Sequence, residues 1–505
     1  MENQLQILIV MIVYMTLLIA WGIYQGRKVK TSSDFAIAGR NLPGWVAALS
    51  ERATGESSWA LLGLPGAAYA TGLMEVWTAI GCVMGIIVAW VLLAWRLRDE
   101  AAKYETDTFT DYIAKKHGEF GKWIRIVGSF TIVFFFFFYV GAQFIGGGKT
   151  LENLFGIDRL YGMLIVVLVV VPYTIYGGFR SVTYTDVIQA IVMITTLIVA
   201  PIAGIVYLSS QPEGSIFAGT ISEALSKAGP AYNTMTGGAI LMEGSSLYDF
   251  LNNLFPNSIS VIKGLGTGII IAGAFSWFFG YLGGQPQLST RFMAISNAKQ
   301  AKMARNIGVA WTIVAYIGAL MIGWIGIAMF GPDGLKDQET VMPEVLTTLF
   351  SPWIAGILIT GVLAAIVSTA NSLLILSATE LSENLIKPLT NTNSKKALLQ
   401  SRIVTAILSA IALILAYFSP SDLIYTIVGY VWAGIGSTFS IVILFTLFWK
   451  RFHGVPALLT IITGLFFTIF WISSGRDEIV SSRLMTFMVS GFVAIISTLV
   501  LKKKD

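Results

Sequence analysis

Apolar runs of about twenty residues recur along nearly the whole of this chain. A membrane-spanning helix needs about twenty mostly apolar residues, and it satisfies its own backbone hydrogen bonds, as lipid requires. Of the 505 residues, 55% are hydrophobic and only 12% are charged, whereas soluble domains carry about 25% charged residues. The sequence therefore predicts an all-α polytopic membrane protein.

The apolar runs are long enough for thirteen transmembrane helices. They lie near residues 5–25, 43–70, 73–96, 124–149, 160–178, 184–208, 264–284, 307–330, 353–380, 401–418, 424–449, 455–474 and 484–501. The first run is longer than the apolar part of a signal peptide, and basic residues follow it instead of preceding it. We therefore expect a retained N-terminal helix.

The distribution of basic residues predicts the orientation of the chain. With the N-terminus outside and the C-terminus in the cytoplasm, 25 of the 33 Lys and Arg residues fall in cytoplasmic segments. Cytoplasmic loops are enriched in Lys and Arg, so this orientation is expected for a multi-pass protein of the cell (plasma or inner) membrane. The net charge of +5 is modest. It suits loops that face membrane lipid, and we expect no nucleic-acid partner.

Two of the predicted spans are interrupted by residues that a lipid-facing helix excludes. Glu51, Arg52 and Glu56 lie in the middle of the second span, and residues 283–286, Gly-Gly-Gln-Pro, end the seventh. A charged side chain at the bilayer centre costs at least about 2.5–3.5 kcal/mol. Gly and Pro also free backbone groups that need partners inside the protein or in a wet cavity. Interrupted helices of this kind surround the binding site of secondary transporters.

The interrupted spans are five apart, and because five is odd they have opposite directions in the membrane. This spacing predicts a 5+5 inverted repeat of the leucine-transporter type, with the repeats at residues 43–208 and 264–449. One extra helix at 5–25 precedes the repeats, and two C-terminal helices at 455–501 follow them. Residues 1–505 would thus form a single transmembrane transporter domain.

The ninth span has a polar face. Ala365, Ser368 and Thr369 are spaced i, i+3, i+4 and share one side of the helix. Two hydroxyls and a carbonyl suit a hard monovalent cation, and further carbonyls could come from the interrupted second span near Ala53 and Glu56. Alternatively, the hydroxyls bond to their own helix or join neighbouring helices.

Aromatic residues gather near both interruptions. Trp277 and Tyr281 are spaced i, i+4 before the second, Trp59 follows the first, and Tyr139 ends a phenylalanine run in the fourth span. Such rings could enclose a compact solute that carries an ammonium group. Trp and Tyr also mark membrane interfaces, an explanation that suits the mid-span Trp59 and Trp277 poorly.

Three ionisable residues within the spans have structural and functional interpretations. Arg52 and Glu56 are spaced i, i+4 and could neutralise each other as an ion pair. Glu56 could instead contact the substrate or cation, or carry a proton. Asp186 lies near the start of the sixth span, where a helix N-terminus favours a carboxylate; it could also lie on a cation exit route.

Five stretches of the sequence carry a family resemblance, at residues 33–40, 62–67, 176–186, 280–293 and 353–369. In these stretches the chain resembles the sodium/solute symporter family, and within it the bacterial sodium/proline symporters.

The resemblance implies which residues bind the two solutes. Those expected to hold the co-transported sodium ion are Ala53 and Glu56, through their carbonyls, with Ala365, Ser368 and Thr369. Those expected to line the proline pocket are Trp59, Tyr139, Trp277, Tyr281 and Pro286, to which we add Ser57 and Gln285.

The chain departs from the symporters at one position. They have an aspartate where this chain has Gly55, and the nearest acid here is Glu56. Adjacent helical positions point about 100° apart, so Glu56 is not a simple replacement for that aspartate. The departure bears directly on ion coupling.

We therefore expect a sodium-coupled symporter, acting as a monomer, that imports a small amino acid, proline foremost. One alternative is a proton-coupled or sodium-independent transporter of another small organic solute, with Glu56 in the coupling role. A sensor or receptor-type membrane protein is a more remote alternative. With one cysteine and two histidines, both in hydrophilic stretches, we expect no enzyme and no metal site other than that for sodium.

Overall fold

The computed structural model describes residues 2–236, 244–256, 258–386 and 394–501. The α-helices of the first half are α1 (Glu2–Gly26), α2 (Ser32–Ile37), α3 (Gly44–Ser58), α4 (Leu64–Thr71), α5 (Val76–Val88), α6 (Ala94–Lys103), α7 (Phe109–His117), α8 (Gly121–Phe155), α9 (Arg159–Ser210), α10 (Ile221–Ala228) and α11 (Ser246–Leu254).

Those of the second half are α12 (Ile259–Phe275), α13 (Trp277–Gly280), α14 (Pro286–Ala294), α15 (Ala298–Phe330), α16 (Val341–Leu349), α17 (Pro352–Leu381), α18 (Ser394–Tyr417), α19 (Ile424–Val431), α20 (Thr438–Phe448), α21 (Gly454–Ser473) and α22 (Ser482–Val500). Turns of π-helix extend several of them, at Trp59–Gly63, Ala89–Leu93, Ser382–Ile386 and Trp432–Ser437.

Eleven helical segments of the described residues are long and apolar enough to cross a membrane. One of them, Gly44–Lys103, has 60 residues and would extend about 90 Å if straight, three times the hydrocarbon thickness. It is divided at Gly72, whose φ of 64° and close approach to the Tyr232 carbonyl exclude a side chain. The predicted all-helical membrane fold is confirmed; the count of thirteen spans stays a prediction.

The interruptions lie where the sequence predicts them. In α3, Ser57 leaves the helical conformation with a φ of 54° and a ψ of −170°. In the seventh predicted span, the helix ends at Gly280, Gly283 has a φ of 83°, and Pro286 opens α14.

One boundary of the sequence prediction is wrong. The seventh span was expected to end at residue 284, with no further span before residue 307. The chain instead continues as α14, and every residue of this helix is buried. The polar side chains of α14 bond within the helix and its preceding turn, and Arg291 bonds to Ser50, Asp186 and Ser372 of neighbouring helices, so hydropathy alone does not detect its burial.

The two interrupted helices run in opposite directions. Leu42, just before α3, donates its N–H to the Ala294 carbonyl at 3.0 Å, and its own carbonyl accepts from Ser296 N at 3.1 Å. The start of α3 therefore lies beside the end of α14. Arg98 bonds to the Ile295 and Ser296 carbonyls at the same place.

We call this end of the bundle the basic end, defined by Arg40, Arg98, Lys115, Lys116 and Arg125. The other end, which we call the far end, is defined by Lys149, Arg159, Asp337, Glu344 and Asp422, which line one open cavity.

Helix α17 lies at the centre of the bundle. It is buried almost continuously from Leu358 to Glu380 and packs against α1, α3, α8 and α9. This position brings the predicted polar face of the ninth span against the interruption of α3.

Candidate functional site

A cluster of oxygen atoms joins α17 to the interruption of α3. Ser368 Oγ donates at 2.9 Å to the Ala53 carbonyl and at 3.0 Å to the Ala365 carbonyl. Thr369 Oγ1 donates at 3.0 Å to the Thr54 carbonyl. All of these residues are fully buried. The cluster offers only carbonyl and hydroxyl oxygens, which are the ligands that hard cations prefer.

Four of the five predicted cation ligands therefore lie together, and the fifth does not join them through the hydrogen bonds observed. The Glu56 carbonyl accepts the N–H of Trp59. The Thr54 carbonyl meets Thr369 in the cluster and was not among the predicted ligands. A carbonyl ligand has no side-chain signature, so only the backbone path identifies it.

Arg52 holds two buried carboxylates next to this cluster. Its Nη1 lies 2.9 Å from Glu56 Oε1, and its Nε lies 2.5 Å from Glu51 Oε2. Nη1 also donates to Thr312 Oγ1 at 3.0 Å, and Trp90 Nε1 donates to Glu51 at 3.2 Å. The i, i+4 pair of Arg52 and Glu56 thus belongs to a triad with two negative charges and one positive charge.

The triad gives a physical account of Gly55. A Cβ atom at Gly55 would lie 3.3 Å from Arg52 Nη2 and 3.2 Å from Leu288 Cδ2. The guanidinium of Arg52 thus lies in the space that an aspartate at position 55 would face. Glu56 points elsewhere, with its Oε1 2.9 Å from Arg52 Nη1.

The four predicted aromatic residues form part of one buried cluster of rings in mutual contact, which we call the aromatic chamber. Trp59 and Trp277 have ring centroids 4.5 Å apart. Tyr139 and Tyr281 both pack on Trp432, at 5.2 and 5.3 Å. None of these four predicted side chains is more than 2% exposed. Trp432, together with Tyr316 and Tyr425, was missed; a mid-span tryptophan was the signal that could have identified it.

Several buried polar atoms around the chamber have no hydrogen-bond partner among the described residues. They are the donors Trp59 Nε1, Trp432 Nε1 and Gln285 Nε2, and the acceptor Glu56 Oε2. A buried polar group without a partner costs about 1–3 kcal/mol. A ligand with both an acceptor group and a cationic donor group would satisfy these atoms.

The remaining predicted substrate residues shape the chain at the two interruptions. Ser57 Oγ accepts the N–H of Trp59 at 3.0 Å. Pro286 is the first residue of α14, and its carbonyl accepts from Thr290 at 2.7 Å. Gln285 Oε1 accepts from Gln287 at 3.0 Å, which leaves the Gln285 amide nitrogen directed elsewhere.

A second buried ion pair lies on the basic-end side of the oxygen cluster. Arg291 Nη2 is 3.0 Å from Asp186 Oδ2 and 2.6 Å from Ser372 Oγ. Ser50 Oγ donates to Asp186 at 2.6 Å. Ser372 in turn lies 2.9 Å from Thr54 Oγ1, so this network adjoins the residue whose carbonyl meets Thr369. Asp186 is thus part of a buried ion pair, and its place on a cation exit route stays a prediction.

A third cluster of charged residues lies on the far-end side of the aromatic chamber. Lys149 Nζ lies 2.7 Å from Glu339 Oε2 and 2.8 Å from Asp337 Oδ2. Burial raises the pKa of Glu339, and Lys149 opposes this effect. Glu339 accepts the N–H groups of Ile424 and Tyr425 at the start of α19. This contact fixes the ring of Tyr425, which stacks on Trp59 at 6.2 Å.

Two antiparallel interrupted helices, an oxygen cluster and a buried cluster of aromatic rings together define the class of protein as an ion-coupled secondary transporter. The chain belongs to the sodium:solute symporter family, whose sequence profile matches residues 35–464. It is thus a transporter and not an enzyme, and sodium is its coupled ion.

Curated relatives are similar over nearly their whole lengths. The high-affinity proline transporter PutP of Bacillus subtilis is 34% identical over 94% of this chain and 92% of its own. The sodium/proline symporter 2 of Staphylococcus saprophyticus is 32% identical over 92% and 86%. The osmoregulated proline transporter OpuE of B. subtilis is 31% identical over 99% and 96%.

Solved structures share the fold. A Na⁺-coupled sialic acid symporter, solved in a substrate-bound outward-open state, superposes with a TM-score of 0.78 at 16% identity over 99% of both chains. Mhp1, a nucleobase-cation-symport-1 family transporter in a closed conformation, gives a TM-score of 0.52 at 12% identity over 92% of this chain and 95% of its own.

Proposed function

We propose that this symporter imports proline into the cell with sodium, by alternating access around α3, α12–α14 and α17. The observation that carries the proposal is the aromatic chamber with its unpartnered polar atoms. Its walls are apolar rings, its unpartnered donors belong to Trp59, Trp432 and Gln285, and its unpartnered acceptor is Glu56. Relatives named as proline transporters agree with it.

The polarity of the chamber matches a small zwitterion. The carboxylate of proline would accept from Gln285 Nε2 and the indole N–H groups. Its ammonium would face Glu56 Oε2 and the ring faces, which attract cations. The pyrrolidine ring would pack against the outer faces of Trp59 and Trp277, since these two rings are already in contact with each other, with centroids 4.5 Å apart.

The two solutes would share one segment of backbone, and this provides the coupling. Sodium would replace the hydrogen bonds of Ser368 and Thr369 to the carbonyls of Ala53 and Thr54. That would fix the backbone a few residues before Trp59, which lines the chamber. An ion that orders this segment raises the affinity for substrate, and by linkage the substrate raises the affinity for sodium.

The architecture around the site is part of the proposal. The eleven candidate spans become thirteen when Gly44–Lys103 is divided at Gly72 and the shorter apolar helix Arg159–Pro172 is added. The opposite directions of the two interrupted helices support the 5+5 inverted repeat. We infer that the basic end faces the cytoplasm, with the N-terminus outside, and that a monomer in the lipid bilayer is the functional unit.

One observation favours a second candidate, a proton-coupled transporter of a small solute. Glu56 is fully buried beside the chamber, and its Oε2 has no hydrogen-bond partner among the described residues. A carboxylate in that setting could carry a proton between the two sides in place of sodium.

Uptake by the purified protein in liposomes separates the two candidates. Radiolabelled proline should accumulate when an inward sodium gradient is imposed at equal pH on both sides. It should not accumulate with a pH gradient alone. Accumulation driven only by the pH gradient would overturn sodium coupling. A tenfold excess of unlabelled amino acids, tested one at a time, would identify another substrate if proline does not compete.

A further inference from the structure

The polar face of α17 continues from the oxygen cluster to the basic end. Thr369, Ser372, Thr379 and Glu380 follow one another at spacings of three, seven and one residues, which keeps them on one side of the helix. Eleven residues separate Thr369 from Glu380, a distance of about 17 Å along the helix. Leu376 lies on the same side of α17 between Ser372 and Thr379, and it is apolar.

Glu380 is a buried carboxylate with no basic partner within 4 Å among the described residues. It is 1% exposed. Its Oε2 accepts from Ser129 Oγ at 2.8 Å, from Asn384 Nδ2 at 2.6 Å and from Thr110 Oγ1. Burying a carboxylate without a counter-ion is costly even when it is hydrogen-bonded. The group therefore lacks the positive charge that Asp186 receives from Arg291.

Four oxygen atoms converge on one point next to Glu380. The Asn384 amide nitrogen lies there, 2.6 Å from Glu380 Oε2 and Thr110 Oγ1, 2.9 Å from Ser129 Oγ and 3.1 Å from Thr108 Oγ1. An amide nitrogen has only two hydrogens to donate, so it cannot satisfy four acceptors. A cation at the same point would be coordinated by all four.

We call the four oxygen atoms of Glu380, Thr110, Ser129 and Thr108 the cage. A hydroxyl without a partner among the described residues and a small cavity adjoin it. Thr379 is 4% exposed, and its Oγ1 has no hydrogen-bond partner among the described residues. Thr379, Glu380 and Thr108 line a cavity with room for about one water-sized particle. Phe179 lines the same cavity and packs against the Arg291 guanidinium at 5.3 Å. The cavity thus lies between the Asp186–Arg291 pair and the basic end.

We propose that Glu380, Thr379 and the hydroxyls of Thr108, Thr110 and Ser129 form a second binding site for the transported sodium ion. The ion occupies it after leaving Ser368 and Thr369 and before reaching the side of the basic end. Asn384, in the π-helical turn Ser382–Ile386, fills the cage when no ion is there. The inference rests on the proposed sodium symport.

The experiment measures sodium dependence from each side separately. Proteoliposomes of known protein orientation are loaded with radiolabelled proline, and efflux is followed while sodium is varied on the basic-end side. Uptake with sodium varied on the far-end side provides the second measurement. Glu380→Gln is expected to raise the half-saturating sodium concentration on the basic-end side by roughly tenfold. On the far-end side the change should stay below about twofold.

Three further variants keep the test independent of folding. Thr379→Val removes a hydroxyl that has no hydrogen-bond partner among the described residues. It should raise the half-saturating sodium concentration on the basic-end side by roughly threefold. Asn384→Ala removes the amide from the cage and should lower the half-saturating sodium concentration on the basic-end side. Glu383→Gln, three residues from Glu380 and outside the cage, removes the same charge and should change neither value.

The outcomes separate this inference from the function on which it rests. If Glu380→Gln and Thr379→Val leave the basic-end value unchanged while wild-type transport depends on sodium, the cage only fastens α7 and α8 to α17. If wild-type transport does not depend on sodium from either side, the proposed symport itself fails.

Discussion

The two interrupted helices of the site keep their shape by different means. In α3 a non-glycine residue, Ser57, has a positive φ, a conformation that costs on the order of 1–3 kcal/mol, and the Arg52 triad lies within two turns of it. In the second interruption, Gly283 and Gly284 make the turn, and residues 277–290 contain no acidic or basic side chain. The first interruption is held by electrostatics, and the second by the absence of side chains.

This difference predicts different weaknesses. Substitutions that unbalance charge should damage the first interruption, and substitutions that add volume should damage the second. The cation cluster adjoins the first, so its variants should alter sodium dependence. Gln285 belongs to the second, so its variants should alter substrate affinity.

The largest effect is expected for Arg52→Met. The substitution leaves Glu51 and Glu56 buried without a cation, and breaking a buried ion pair in this way costs about 3–5 kcal/mol. Thermal unfolding of the purified protein in detergent should show a large loss of stability, with loss of proline uptake. Adding Glu51→Gln to the variant should recover part of the stability. An Arg52→Met protein as stable as wild type would show that the triad does not hold the interruption.

Gly284→Ala should have the next largest effect. A Cβ atom there would overlap the Gly436 carbonyl oxygen and the backbone of Ser440, and overpacking costs about 1–3 kcal/mol. The matched control is Gly268→Ala in α12, because a Cβ atom there meets nothing within 4 Å. Equal melting temperatures for the two variants would contradict a turn that depends on close packing.

Thr369→Ala should alter the ion requirement and little else. Loss of one oxygen ligand is expected to raise the sodium concentration for half-maximal uptake by roughly tenfold, with maximal uptake at saturating sodium nearly preserved. Thr360→Ala is the control, because among the described residues that hydroxyl bonds only to the Ile357 carbonyl of its own helix. Unchanged sodium dependence in Thr369→Ala would remove α17 from the ion site.

Gln285→Leu should produce the smallest change. It removes an unpartnered donor of the chamber, so the proline concentration for half-maximal uptake at saturating sodium should rise by roughly fivefold. Because no described residue accepts from Gln285 Nε2, melting temperature should change little. A rise in the sodium requirement as large as that of Thr369→Ala would show that the two interruptions are not separable in function.

The periodic parts of the fold and site were predictable from sequence. Helical spacing alone placed Ser368 and Thr369 on one face, and Trp277 near Tyr281. Hydropathy found the apolar helices. These signals are local, since each depends on neighbours within a few residues of the chain.

The parts that depend on distant partners were not predictable. The polar sequence of α14 suggested a loop, because the residues that make its burial favourable lie far away; Asp186 is 105 positions from Arg291. The role of Thr54 lies in a carbonyl, and the position of Arg52 beside Gly55 depends on where a flexible side chain settles. Neither leaves a pattern in the residue types.

The guanidinium beside Gly55 has an electrical consequence. A charge that crosses a membrane potential contributes about 2.3 kcal/mol per 100 mV to driving transport. Arg52 is covalently part of the protein, so its charge does not leave with the solute on the other side. The concentration ratio of solute that the cell can sustain is therefore determined only by the ions that dissociate. A cation built into the chain helps to shape the site but does no electrical work over a complete cycle.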